Sequence, residues 1–100
     1  NLNRSYLMLF VITGIDKPES LPLRMANRDA HLKYWADSGV VKMGGPFSND
    51  EGTVMNGSLL AIEVADRAAA EKLLANDPYN LAGLFERAEV RAWKWLLGAK

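Results

Sequence analysis

An unbroken apolar run near the start, Tyr6-Leu-Met-Leu-Phe-Val-Ile12, does most to limit what this chain can become. It is far shorter than the ~20 residues needed to cross a bilayer. It is also too short for a core helix and is closed by Thr13-Gly14. Consecutive apolar side chains point to alternate faces of a strand, so the run suits a central strand covered on both sides. A second segment behaves alike: Ser58, Leu60, Ile62 and Val64 alternate with Leu59, Ala61 and Glu63, and both sets are largely apolar. Two central strands call for flanking strands and a layer of helices.

The intervening residues supply them. Asp16-Lys-Pro-Glu-Ser20 has turn chemistry, and Ser20 or Pro22 can open a helix that runs to about Ser38 and stops at Gly39. Val40-Val-Lys-Met-Gly-Gly-Pro46 starts β-branched and ends in residues that break pairing, which predicts an edge strand, followed by a hairpin loop at Ser48-Asn-Asp-Glu-Gly52. Asp66 is a good N-cap, and Ala69, Ala70, Leu73 and Leu74 form one apolar arc behind it. Asn76-Asp77-Pro78 ends that helix, because the residue before proline is pushed out of the α region. From Leu84 to Leu96, Arg87, Glu89 and Arg91 alternate with Ala88, Val90 and Ala92, the pattern of a charged edge strand.

The order β-α-β-β-α-β with right-handed crossovers predicts an α+β fold, the ferredoxin-like plait: a four-stranded antiparallel sheet with two helices on one face. It occupies residues 1–100 as a single domain, the usual scale for this length. Asn1 to Ser5 is polar and lacks an initiator Met, so these residues are expected to be disordered or foreign to the natural chain. Both helices lie on one face, yet the first strand is apolar on both. A homodimer packing sheet on sheet would cover the second face, with Trp93, Trp95 and Leu96 offering apolar area for it.

Twelve basic and twelve acidic side chains cancel, so the field that gives non-specific nucleic-acid affinity is missing, and neither nucleic acid nor a membrane is an expected partner. Cysteine is absent, which removes thiol catalysis, thiolate ligands and disulfides and fits a cytoplasmic location. Gly44-Gly45-Pro46 and Gly52 do not form a phosphate loop, and one histidine without cysteine argues against zinc. No cofactor and no metal are expected.

What remains are polar residues that could handle a small molecule. On the first helix Leu23, Ala26, Ala30 and Tyr34 form one apolar arc, while Arg24, Arg28, His31 and Trp35 form a neighbouring stripe. Spacing alone reads that stripe as a solvated flank with Trp35 tucked against the sheet; the functional reading is the wall of an anion-facing pocket. His31, the sole histidine, can move protons because an imidazole ordinarily titrates near ~6.5, and a carboxylate on one ring nitrogen would fix its tautomer. Asp77 is the candidate partner, although an Asx turn before Pro78 would explain it equally. Tyr79 could give a ligand a phenolic hydrogen bond, or pack against apolar surface. Ser58 lacks the strand-turn-helix setting of a nucleophilic serine, so it reads as a hydrogen-bonding group.

Leu9-Phe10, Asp16-Lys17, Ser20-Leu21, Arg24 with Arg28-x-x-His31-Leu32, Gly45-Pro46, Gly57-Ser58, Asp77-Pro78-Tyr79 and Ala82-Gly83 occur in an order and spacing that resemble the YCII-related family over almost the whole chain. The resemblance implies a dimeric α+β barrel, two sheets face to face, and an active site on the residues matching His31 and Asp77. One departure is Asp29, two places before the histidine, where the family often has proline.

Two functions follow as expectations. The first is a small-molecule enzyme of lyase or isomerase type: His31 moves a proton, Asp77 orients it, and Arg24 or Arg28 holds an anionic or phenolic group, with Ser58 and Tyr79 at the ligand. The second is a non-catalytic dimer that binds a metabolite or a partner protein, with His31 and Asp77 as a structural pair. A catalytic pair should border an accessible cavity, and a structural pair should be buried with every polar atom satisfied.

Overall fold

The computed structural model describes residues 7–99. The expectations for Asn1 to Ser5, and for Tyr6 as the start of the first strand, lie outside the described residues. Seven elements follow in order: β1 (Met8–Asp16), α1 (Leu21–Ser38), β2 (Val41–Ser48), β3 (Met55–Val64), α2 (Arg67–Ala75), α3 (Pro78–Leu81) and β4 (Phe85–Trp93). The strands form one antiparallel sheet in the order β2-β3-β1-β4, so the two apolar segments are the central strands and the glycine-rich and charged ones lie at the edges. This is the ferredoxin-like βαββαβ arrangement.

Register explains the core. Phe10 pairs with Ile62 and Ile12 with Leu60, and these side chains share the helix-covered face. With Trp35, Val64 and Ala70 they make the buried cluster, against which Leu73 and Leu74 of α2 and Val90 of β4 pack. Helix α2 starts where Asp66 accepts the Ala69 N–H at 2.9 Å. Helix α1 carries Pro22 in its first turn and ends at Gly39, whose φ of 71° is the left-handed conformation that suits glycine after a helix. Among the described residues no helix is long and apolar enough to cross a membrane.

Three features differ from the sequence expectations. Pro78 both closes the α2 segment and opens the short helix α3, so the sheet carries a third helix. Strand β1 extends past Gly14 to Asp16, which takes Asp16 out of the turn and buries it. A Cβ on Gly14 would lie 2.6 Å from the Phe85 ring, so only glycine lets that ring cross the strand here. The third difference concerns α1: its apolar arc at Leu23, Ala26 and Ala30 faces outward, and Arg24, His31 and Trp35 of the polar stripe are the buried ones. On the sheet's other face Val11, Thr13, Met43, Leu59, Arg91 and Trp93 border a shallow depression that no helix among the described residues covers.

Candidate active site

Asp77 is where three elements meet. The proline that follows keeps it out of helix, and its Oδ1 caps α3 by accepting the Tyr79 N–H at 2.9 Å. From that position the carboxylate faces α1, where His31 and Trp35 stand four residues apart on one side of the helix. His31 Nδ1 lies 2.8 Å from Oδ1, and the Trp35 indole N–H donates to Oδ2 at 3.0 Å. Asp77 is 1% exposed, and all three of these groups are donors to its oxygens. A carboxylate can only accept, so Nδ1 carries the imidazole proton and Nε2 holds the free lone pair in the neutral ring. Among the described residues no buried side-chain polar atom lacks a partner. Nε2 makes no hydrogen bond there, and His31 lines a cavity, so this nitrogen opens into it.

Tyr79 connects this group to a second one. Its ring stacks on His31 with centroids 3.9 Å apart and planes 15° from parallel, and its edge meets Phe85, the ring that Gly14 admits. The Arg24 guanidinium lies 4.6 Å from the Tyr79 centroid. Arg24 binds Asp16 through two nitrogens, Nε to Oδ2 at 2.7 Å and Nη2 to Oδ1 at 3.1 Å, and Nη2 also donates to Ser58 Oγ at 2.8 Å. This fork is buried, so the Arg24 charge is already matched within the fold. Burial pushes the Tyr79 phenol above its ordinary value; the positive charges of Arg24 and Arg28 pull it down, and Asp77 and Asp16 push it up further. The phenol therefore remains a hydrogen-bond donor through the neutral range.

Both groups border one cavity of about 290 Å³ between α1 and β2. His31, Tyr79, Ser58 and Arg24 line one part of it, and Arg28 reaches it from α1. Among the described residues Arg28 has neither an ion-pair nor a hydrogen-bond partner. The six residues singled out in the sequence thus share a cavity wall, except Asp77, which stands behind His31. Sequence reasoning missed Asp16, whose signal was its place at the end of an apolar strand, and Trp35 as a hydrogen-bond donor, whose signal was its four-residue spacing from His31. Among the described residues no three His, Cys, Asp or Glu side chains converge as a metal site.

A model of the YCII-related domain matches residues 8–94. The chain belongs to the YCII-related family. Protein YciI from Escherichia coli O6:H1 (strain CFT073) is 36% identical over 95 residues, covering 87% of this YCII-related chain and 97% of that relative. Among solved structures, 5-chloro-2-hydroxyhydroquinone dehydrochlorinase (TftG) from Burkholderia phenoliruptrix AC1100, in complex with 2,5-dihydroxybenzoquinone, superposes with a TM-score of 0.79. It is 35% identical, over 87% of this chain and 94% of its own. A candidate antibiotic biosynthesis monooxygenase from Bacteriodes thetaiotaomicron superposes with a TM-score of 0.60 at 17% identity over 97% of each chain, a likeness of fold alone.

Proposed function

We propose that this YCII-related protein is a small-molecule enzyme of lyase or isomerase type that moves a proton on a small hydroxylated ring, working as a homodimer. The observation that carries this reading is the state of His31: Nδ1 is engaged by Asp77 at 2.8 Å, while Nε2 opens into the cavity. In this scheme Nε2 takes a hydroxyl or C–H proton from the substrate, and the Asp77 carboxylate stabilises the imidazolium that results. The oxyanion or enolate formed receives hydrogen bonds from the Tyr79 phenol and the Ser58 hydroxyl and faces the Arg28 charge. In an elimination the electron pair then expels the leaving group and the proton departs with it; in an isomerisation the proton returns to another carbon. Arg24, its charge matched by Asp16, acts by positioning Ser58 and Tyr79.

The name of the dehydrochlorinase supports the ring and the reaction type, because loss of HCl is one proton and one leaving group. The uncovered sheet face with Val11, Leu59 and Trp93 supports a second copy packed upon it. The test uses 5-chloro-2-hydroxyhydroquinone, with chloride release and quinone absorbance as readouts. Turnover should fall by ~10²-fold or more in His31→Gln, the usual share of a general base. Full turnover in that variant would remove the reading. The non-catalytic alternative is favoured by one fact, the complete satisfaction of Asp77. It would gain if 2,5-dihydroxybenzoquinone bound and 5-chloro-2-hydroxyhydroquinone did not turn over.

A further inference from the structure

The cavity is divided by polarity. Its polar groups gather where α1, β3 and α3 meet: His31 stacks on Tyr79, Arg24 lies over the same ring, and Ser58 is bonded to Arg24. The rest of the wall is apolar. On α1, Met25, Leu32 and Ala36 each follow a residue of the polar stripe by one position, so they form the outer flank of the same helix. Opposite them stand Val41 and Pro46 of β2. Met25 and Leu32 are 55% and 48% exposed, apolar surface that a soluble chain normally leaves open only singly or for a ligand.

The volume points the same way. An apolar cavity of ~150 Å³ is enough to bind benzene. The 290 Å³ here exceeds what one hydroxylated ring uses, and Met25, Leu32, Ala36, Val41 and Pro46 supply apolar lining beyond the polar groups. We infer that the ligand of this site is amphipathic: a hydroxylated ring or enol at the His31–Tyr79 end, carrying an alkyl or aryl substituent that lies in the groove between α1 and β2. This rests on the ring reading proposed above and extends it to the class of substituent. A bare, multiply charged or highly hydroxylated molecule would leave Met25, Leu32 and Val41 facing water; an apolar substituent removes that surface from water with no unpaired polar group.

The experiment is a calorimetric titration of the whole protein with 2,5-dihydroxybenzoquinone and its methyl, propyl and pentyl ring homologues. Because each methylene transferred from water is favourable, affinity should rise roughly twofold to fourfold per carbon until the groove is filled. Leu32→Asn, at an exposed position that folding tolerates, should reduce the pentyl-to-parent ratio. A parent ring that binds followed by a flat or falling series would overturn the inference and leave the ring reading standing. Binding of the homologues without the parent would uphold it. No binding by any member would overturn both.

Discussion

Helices α1 and α2 cover the same face of one sheet. Helix α2 turns Ala70, Leu73 and Leu74 toward it and keeps Glu71 and Lys72 outside. Helix α1 buries Arg24, His31 and Trp35 and leaves Leu23, Met25 and Leu32 exposed. Burying a guanidinium and an imidazole in place of leucines costs desolvation free energy, which is tolerable only when each group meets a partner of good geometry. Here Asp16, Ser58 and Asp77 supply those partners. The contrast teaches that α2 is held by area, whereas α1 adds matched polar groups to the area of Trp35, and the second arrangement is the one that borders the cavity.

Five measurements would break or sharpen that contrast. The largest effect is expected for Asp77→Ala, which strands the Trp35 indole, the Tyr79 N–H and His31 Nδ1; urea denaturation should show a loss of about 3–5 kcal/mol, as for other broken buried pairs. A loss below ~1 kcal/mol would mean that the area of Trp35 holds α1 without help from the polar partners. Arg24→Met leaves the Asp16 carboxylate buried alone and should cost about 3 kcal/mol. The double variant Arg24→Met/Asp16→Leu should recover most of it, since a buried ion pair replaced by apolar groups of similar size is often neutral. On α2, Leu74→Ala should cost about 1–2 kcal/mol, less than a fully buried leucine because Leu74 is half-buried.

The smallest effect is a pH dependence at the α1 side. The folded state holds the Tyr79 proton above the ordinary value of 10.0, so above about pH 10 the unfolded chain releases that proton first. The contribution is fully present below that pH and is lost as pH rises through the folded value. The melting temperature should therefore fall more steeply above pH 10 in the native protein than in Tyr79→Phe. Equal slopes would detach Tyr79 from the buried group.

The sheet was legible because its strands carry their own signals: Tyr6 to Ile12 and Ser58 to Val64 are apolar on both faces, and the charges of Arg87, Glu89 and Arg91 mark an edge. Helix α2 was legible for the same reason. The burial of α1 was not, because an amphipathicity argument assigns buried faces by hydropathy, and Arg24 and His31 are buried by partners distant in the chain. Asp16 is eight residues from Arg24, and Asp77 is forty-six from His31. The reading of Asp77 as a turn residue and as a histidine partner posed a false choice, since its Oδ1 serves Tyr79 N–H and His31 Nδ1 together.

That shared carboxylate has an evolutionary corollary. In a duplicated copy drifting toward another ligand, Met25 and Leu32 are free to vary, since they are exposed and carry little of the fold. Asp77 is not, because discarding it removes the cap of α3 and the anchor of α1 at once. A lineage without the proton transfer proposed for this site would pass through replacement of His31, whose loss leaves Asp77 still holding Trp35 and Tyr79, so a retained aspartate beside a missing histidine would be the signature of a descendant that kept the architecture alone.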